Sequence, residues 1–299
     1  MKFLITGGLG YIGQKVVLLL KEKKHEVLVV DKNIFEQEVS FTYVEQDLGD
    51  FLERTKIKNF DAVIHLAGIV GEKACLNNPS EAFRVNYELT KKIAEECEKN
   101  KIRVIYGSTC SVYGNQEGIL NEDSKTMPVD FYGQTKLLGE NEIIKRENNV
   151  SLRFGTVYGW SNRMRFDLVV NKFVARAVNG LPVEVYGGKQ NRPFTHVEDI
   201  ARAIVFFAKN PLYRGVYNVA HENYSLNEVA KKISEIFNSK LVITQNLEDN
   251  RNYTVSNKKL TSLGFVFQRR IEDGIIEIGK KIKEEKINFN EEKYYNHLK

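Results

Sequence analysis

Tyr132 and Lys136 stand four residues apart, and Thr109 lies upstream in the hydroxyl-rich stretch Ser108 to Tyr113. Positions four apart in a helix lie one above the other on the same face, so this spacing brings the Lys136 ammonium close to the Tyr132 phenol. A phenol with a reference pKa of about 10 is a poor base at neutral pH, but an adjacent cation stabilises its phenolate. Tyr132 then serves as acid or base for a substrate hydroxyl, and the Thr109 hydroxyl holds the same oxygen from the other side. The tyrosine-lysine spacing arises often by chance and alone would mark an exposed helix start. What gives it weight here is a second motif nearer the N-terminus.

That motif is Thr6 Gly7 Gly8 Leu9 Gly10 Tyr11 Ile12 Gly13, which follows the apolar run Phe3 to Ile5 and opens an amphipathic stretch. Strand, glycine turn and helix in this order are the context of a dinucleotide fingerprint. Gly7, Gly10 and Gly13 let the backbone turn and approach a pyrophosphate, and the start of the helix at Tyr11 and Ile12 attracts that anion. Asp31 closes the next apolar run about 20 residues on, where a carboxylate accepts hydrogen bonds from ribose hydroxyls and repels a 2′-phosphate. NAD is therefore expected over NADP, with neighbouring Lys32 as the one contrary sign. Asp47 and Leu48 end a further run and either reach the adenine edge or cap the turn that follows.

Positioning these groups requires alternating strands and helices. FLIT, EVLVVD, FTYVEQD, DAVIHLAG and RVIYGST read as parallel strands, with the first crossover helix over Gly10 to Lys23. The fold class is α/β: a Rossmann-type doubly wound parallel sheet over residues 1–155, with a smaller α/β lobe over 156–299 from which the chain returns in places. In that lobe, helices are expected near Leu168 to Asn179, Val197 to Ala208 and Leu226 to Phe237. Loops fall around Trp160 to Arg165 and Gly187 to Phe194, and the tail from Lys280 reads as a helix end with a loosely held extension.

The chain has 299 residues, 42% of them hydrophobic, and its 44 Lys and Arg against 39 Asp and Glu leave a net charge of only +5. Basic and acidic residues interleave, as in Lys91 to Lys101, so no basic stripe for DNA or RNA is formed and no nucleic-acid partner is expected. Cys75, Cys97 and Cys110 fit neither a metal pattern nor a disulfide framework, which argues for a reducing compartment. No apolar run reaches the length of a membrane helix, so a soluble cytoplasmic protein is expected.

With these residues in place, the sequence resembles the extended short-chain dehydrogenase/reductase family, the NAD-dependent nucleotide-sugar epimerases and dehydratases. The likeness runs through TGGLGYIG, HLAG at His65 to Gly68, Asn86, GSTCSVYG at Gly107 to Gly114, YGQTK at Tyr132 to Lys136, LRFGTVYG at Leu152 to Gly159 and RPFTHVEDIARA at Arg192 to Ala203. It implies that Thr109, Tyr132 and Lys136 are catalytic. It also implies that Leu66, Ala67, Gly68 and Asn86 join the cofactor site, with Tyr132 and Lys136, and that Val70, Thr109 and Ser111 line the substrate. MRFDLVVNKF at Met164 to Phe173 and RNYTVSNKKL at Arg251 to Leu260 are similar to the branch containing GDP-heptose 4-dehydrogenases and related sugar epimerases. That likeness implies Asn171, Arg192 and Arg251 near a nucleotide diphosphate, a role that planar guanidinium groups suit. It further implies a homodimer formed by the helices near Glu81 to Lys99 and Phe131 to Lys145.

Departures from the family narrow the chemistry. Its dehydratases and decarboxylases carry an acidic residue after the threonine, where this chain has Cys110 and Ser111, and a combined 3,5-epimerase and reductase would carry a histidine where Trp160 and Ser161 follow Gly159. What remains is hydride chemistry at C4 of a nucleotide-diphosphate sugar: epimerisation through a transient 4-keto sugar, with net 4-dehydrogenation or 4-keto reduction as alternatives. A rival of another class is an NAD-sensing protein on the same fold, against which the intact Thr109, Tyr132 and Lys136 argue. His65 and His196 have no second ligand at metal spacing and are read as structural, so no metal is expected. Cys110 is read as a passive pocket wall, and Trp160 flanks either a nucleotide base or the second-lobe core.

Overall fold

The computed structural model describes residues 1–244 and 250–298. Its central sheet has seven parallel strands in the order Gly215–Val219, Val150–Phe154, Arg103–Thr109, Ala62–His65, Lys2–Thr6, Glu26–Asp31 and Val44–Glu45. Side chains alternate across a strand, so Phe3 and Ile5 enter one core with the helices Tyr11–Glu22 and Val197–Lys209, while Leu4 enters the other with Ile93, Val104 and Tyr106. Burial on both faces explains why these strands read as continuous apolar runs.

The chain passes between the two lobes more than once. Ile200 to Ala208, Tyr217 and Val219 join the core around Phe3 and Ile5, although they follow second-lobe segments in sequence. Conversely, the strand Asn115–Leu120 leaves the first half to pair with Asn252–Val255. A separate core gathers Met164, Phe166, Phe173, Val183, Phe194, Ile233 and Ile275 from the second half.

Local readings differ from the structure at four places. FTYVEQD supplies only a two-residue strand, Val44–Glu45, at the open edge. The loop expected around Gly187 to Phe194 gives way at Asn191 to a strand, Asn191–His196, between Thr156–Tyr158 and Glu222–Ser225; tertiary pairing overrides its unremarkable local pattern. The helix near Glu81 to Lys99 is interrupted by a π-helical turn at Arg84–Glu88. The extension after Lys280 is held rather than loose: the helix Ile271–Glu285 is followed by Tyr294, whose carbonyl accepts from the Phe166 amide at 3.1 Å and whose ring lies 5.1 Å from that of Phe166. Farther along, the His297 carbonyl accepts from Asn77 Nδ2 at 2.7 Å, tying the tail to the first lobe.

Candidate active site

The glycine turn is built by close approach. A side chain on Gly7, which sits at φ +72°, would meet the Ala67 backbone at 2.5 Å, and one on Gly13 would meet the Gly7 carbonyl at 2.2 Å. Gly10 begins the helix Tyr11–Glu22 without a side-chain cap, so its first amides are left to an external anion. Asp31 braces this turn: its carboxylate accepts from Leu9 N at 2.9 Å and Asn33 N at 3.1 Å. Burial raises the Asp31 pKa, and those amide contacts work in the other direction. Lys32 pairs with Asp47 at 3.3 Å and approaches Glu81 to 3.9 Å, so its charge is already answered within the protein.

Asp47 caps the helix Leu48–Arg54 through Gly49 N at 2.8 Å and pairs with Arg84 at 2.8 Å. The Arg84 hydrogen bonds hold its carboxyl well below the usual carboxylate range. Leu66 and Ala67 lie against the glycine turn, with Ala67 N donating to Thr6 Oγ1 at 3.3 Å. Asn86, fully buried in the π-helical turn, receives Ile69 N at 2.9 Å and donates to Ile69 O at 2.9 Å and Thr135 Oγ1 at 3.1 Å. It thereby fastens the Gly68 to Val70 loop to the helix that carries Tyr132 and Lys136, a positioning role well suited to a π-turn.

That helix, Phe131–Ile144, starts at Asp130, whose side chain accepts from Gly133 N at 2.6 Å. Tyr132 is buried among Ile69, Val70, Cys75 and Ala82. Burial pushes its phenol up, and the Thr109 hydroxyl and Arg165 charge pull it down. Lys136 Nζ lies 4.1 Å from the centre of the Tyr106 ring. Burial holds the ammonium down at about 7, opposed by Glu140.

Two residues at this site escaped the sequence reading. Glu140 repeats the four-residue spacing of Tyr132 and Lys136 and binds Arg153 at 2.7 Å, with the pair almost wholly buried. Arg165, held by Asp167 at 2.6 and 3.0 Å, supplies a second positive charge toward Tyr132. The Glu140 spacing was visible in the sequence; nothing local marks Arg165.

Among the residues expected at a substrate, Ser111 Oγ lies 3.5 Å from the Tyr253 hydroxyl. Arg192 lies over the Tyr253 ring at 5.3 Å and donates to the Arg251 carbonyl. Arg251 reaches Asp130 at 3.5 Å, joining this group to the cap of the helix Phe131–Ile144. Asn171 is different: its amide is engaged by Gly159 N at 3.2 Å, Arg165 O at 2.9 Å and the Tyr11 hydroxyl at 3.2 Å. It fixes the glycine turn to the second lobe.

His65 donates or accepts between the hydroxyls of Thr6 and Thr90, at 2.6 and 2.9 Å, and burial lowers its pKa to about 3, so it stays neutral. His196 caps Val197–Lys209 and pairs with Glu277 at 2.8 Å. Trp160 packs on the second-lobe core and its amide donates to Glu277 at 3.0 Å. Burial pushes the Cys110 thiol up, which suits a passive wall.

Residues 3–220 match the NAD dependent epimerase/dehydratase family. The chain belongs to that family. It is an enzyme, and NAD is its cofactor, which the open helix start, the glycine turn and Asp31 fit. The chain is 30% identical over 235 residues to a protein described as the uncharacterized UDP-glucose epimerase YtcB of Bacillus subtilis (strain 168), covering 71% of this chain and 73% of the relative. It is 29% identical over 267 residues to the ADP-L-glycero-D-manno-heptose-6-epimerase of Brachyspira hyodysenteriae (strain ATCC 49526 / WA1), covering 79% and 81%. In structure it is similar to MoeE5 in complex with UDP-glucose and NAD, with a TM-score of 0.85 and 28% identity over 96% of this chain and 100% of the other. Among the described residues, no helix of the family member is long and apolar enough to cross a membrane.

The Lys136 shift has a measurable consequence. An unfolded lysine titrates at about 10.4, whereas Lys136 in the fold titrates at about 7. Between those values the unfolded chain binds more protons, so this group's cost to stability is full below pH 7 and fades as pH rises through the window. Urea unfolding should show the wild type gaining stability relative to Lys136→Met between pH 6.5 and 9. A constant difference across that range would contradict the shift.

Proposed function

We propose that this enzyme interconverts the C4 epimers of a nucleotide-diphosphate sugar through a transient 4-keto sugar. The observation that carries the reading is the buried Tyr132, whose phenol the Thr109 hydroxyl favours in its ionised form and which shares a helix face with Lys136, where Thr109 is followed by Cys110 and Ser111. The hydroxyl pair serves proton transfer at a carbinol, while no carboxylate follows Thr109 to take a C5 proton for elimination.

Bound NAD supplies the acceptor and donor of hydride. Tyr132 takes the proton of the 4-hydroxyl as the carbon is oxidised and returns it on reduction. Thr109 orients the same oxygen. Arg165 favours the phenolate, Lys136 stands one turn along the same helix face, and burial under Ile69 and Val70 keeps water from it. Arg192 and Arg251 hold the diphosphate, Val70 and Ser111 face the sugar, and Asn171 acts through the loops it fixes. Asp31 holds the adenosine ribose, with Asp47 and Leu48 toward the adenine. The reading is supported by relatives whose names include UDP-glucose and heptose epimerases.

A homodimer completes the proposal. Leu138 and Ile144 on the catalytic helix are exposed, and they line a surface groove together with Tyr87; a second copy of these helices would cover that apolar face.

The test is incubation of the purified protein with a panel of nucleotide sugars. A product of unchanged mass, without growth of NADH absorbance, is expected. A product lighter by two hydrogens, with NADH accumulating, would make the enzyme a net dehydrogenase instead.

A further inference from the structure

Arg163 is only 2% exposed. Its guanidinium lies 3.8 Å from the centre of the Phe35 ring, and Nη2 donates to Asn296 Oδ1 at 2.6 Å. Its Nε and Nη1 meet no acceptor among the described residues. A buried charged donor without a partner is costly, so an arginine so placed calls for an anion. Burial, followed by Arg165, brings its pKa down to about 9, with Asp167 and Asp31 opposing.

The location says which anion. Two residues before it, the Ser161 hydroxyl donates to Tyr11 O at 2.7 Å, and the Tyr11 hydroxyl donates to the Gly159 carbonyl, so the loop 159–163 lies on the uncapped helix start. Phe35 follows the ribose-binding Asp31 by four positions. Arg163 thus sits between the helix start and the strand end that the fingerprint reserves for a dinucleotide.

We propose that Arg163 is a cofactor-binding residue supplied by the second lobe, directing an unengaged guanidinium hydrogen at the pyrophosphate of NAD. Phe35 and Asn296 hold the guanidinium plane for this contact. The dinucleotide is then gripped from both lobes, and the tail carrying Asn296 takes part in holding it. A planar guanidinium stacked on Phe35 meets the anion in a fixed orientation that a flexible lysine ammonium does not reproduce.

The test is calorimetric titration of the full chain, stripped of nucleotide, with ADP-ribose and separately with adenosine, which lacks the pyrophosphate. Arg163→Gln is expected to weaken ADP-ribose about 10- to 100-fold while changing adenosine little. Unchanged ADP-ribose affinity would overturn the proposal, and so would an equal loss on both ligands, which would mean that Arg163 only shapes the pocket. Should Arg163→Gln fail to fold, Arg163→Lys is read on the same pair: weaker ADP-ribose with unchanged adenosine supports the contact, and unchanged ADP-ribose removes it. Neither titration involves sugar turnover, so its failure is separable from failure of the C4 assignment.

Discussion

Tyr132→Phe is expected to lower kcat roughly a hundred- to ten-thousand-fold, with KM for the sugar nucleotide and retained NAD little changed. The substitution deletes one oxygen and leaves the ring among Ile69, Val70, Cys75 and Ala82, so folding has no reason to suffer. What it removes is the buried hydroxyl assigned to carry the proton between substrate and protein. Thr109→Ala should cost less, because it disturbs the orientation of the oxygen and leaves the acid in place. Steady-state kinetics alongside circular dichroism separate the two effects. A folded Tyr132→Phe enzyme with near wild-type kcat would remove Tyr132 from the chemistry and, with it, the reading of hydride transfer at a carbinol.

Glu140→Leu is expected to destabilise the protein by about 3–5 kcal/mol, a large part of the margin of an ordinary domain. Glu140 is fully buried and accepts from Arg153 Nε and Nη2 and from the Ser151 hydroxyl. Removing it strands the Arg153 charge inside the protein, with the Tyr113 hydroxyl at 2.9 Å as one of its few remaining partners. The double variant Glu140→Leu with Arg153→Met should regain most of the loss, since a well-packed apolar pair avoids desolvation of both charges. Urea unfolding of the two single variants and the double variant tests this as a cycle. A loss below about 1 kcal/mol in Glu140→Leu would mean that the pair is not the anchor proposed. Because Glu140 also favours the charge on Lys136, a folded Glu140→Leu variant should show the Lys136 ammonium titrating still lower.

These predictions fall on one helix face. Tyr132 and Lys136 were found through a spacing that any helix imposes, and Asp130 at the cap follows from the same local geometry. Glu140 lies at the next repeat, yet an acidic residue inside a helix is ordinarily solvated, and only burial against Val150–Phe154 turns it into an anchor. The strand Asn191–His196 was missed for a related reason: its edges are satisfied by Thr156–Tyr158 and Glu222–Ser225, segments distant in sequence.

The sequence by itself determined the dinucleotide turn, the acidic strand end at Asp31, the parallel α/β class and the shared helix of Tyr132 and Lys136. All of these are written in residue types a few positions apart, where backbone geometry dictates the outcome. Only the tertiary structure decided the partners of polar side chains. Asn171 faces Gly159 and Tyr11, Arg165 lies toward Tyr132, and Arg163 is braced between Phe35 and Asn296. An arginine or asparagine is compatible with surface, ion pair or ligand alike. Which of these it becomes depends on the desolvation and charge that distant segments bring to it, and no local pattern encodes that.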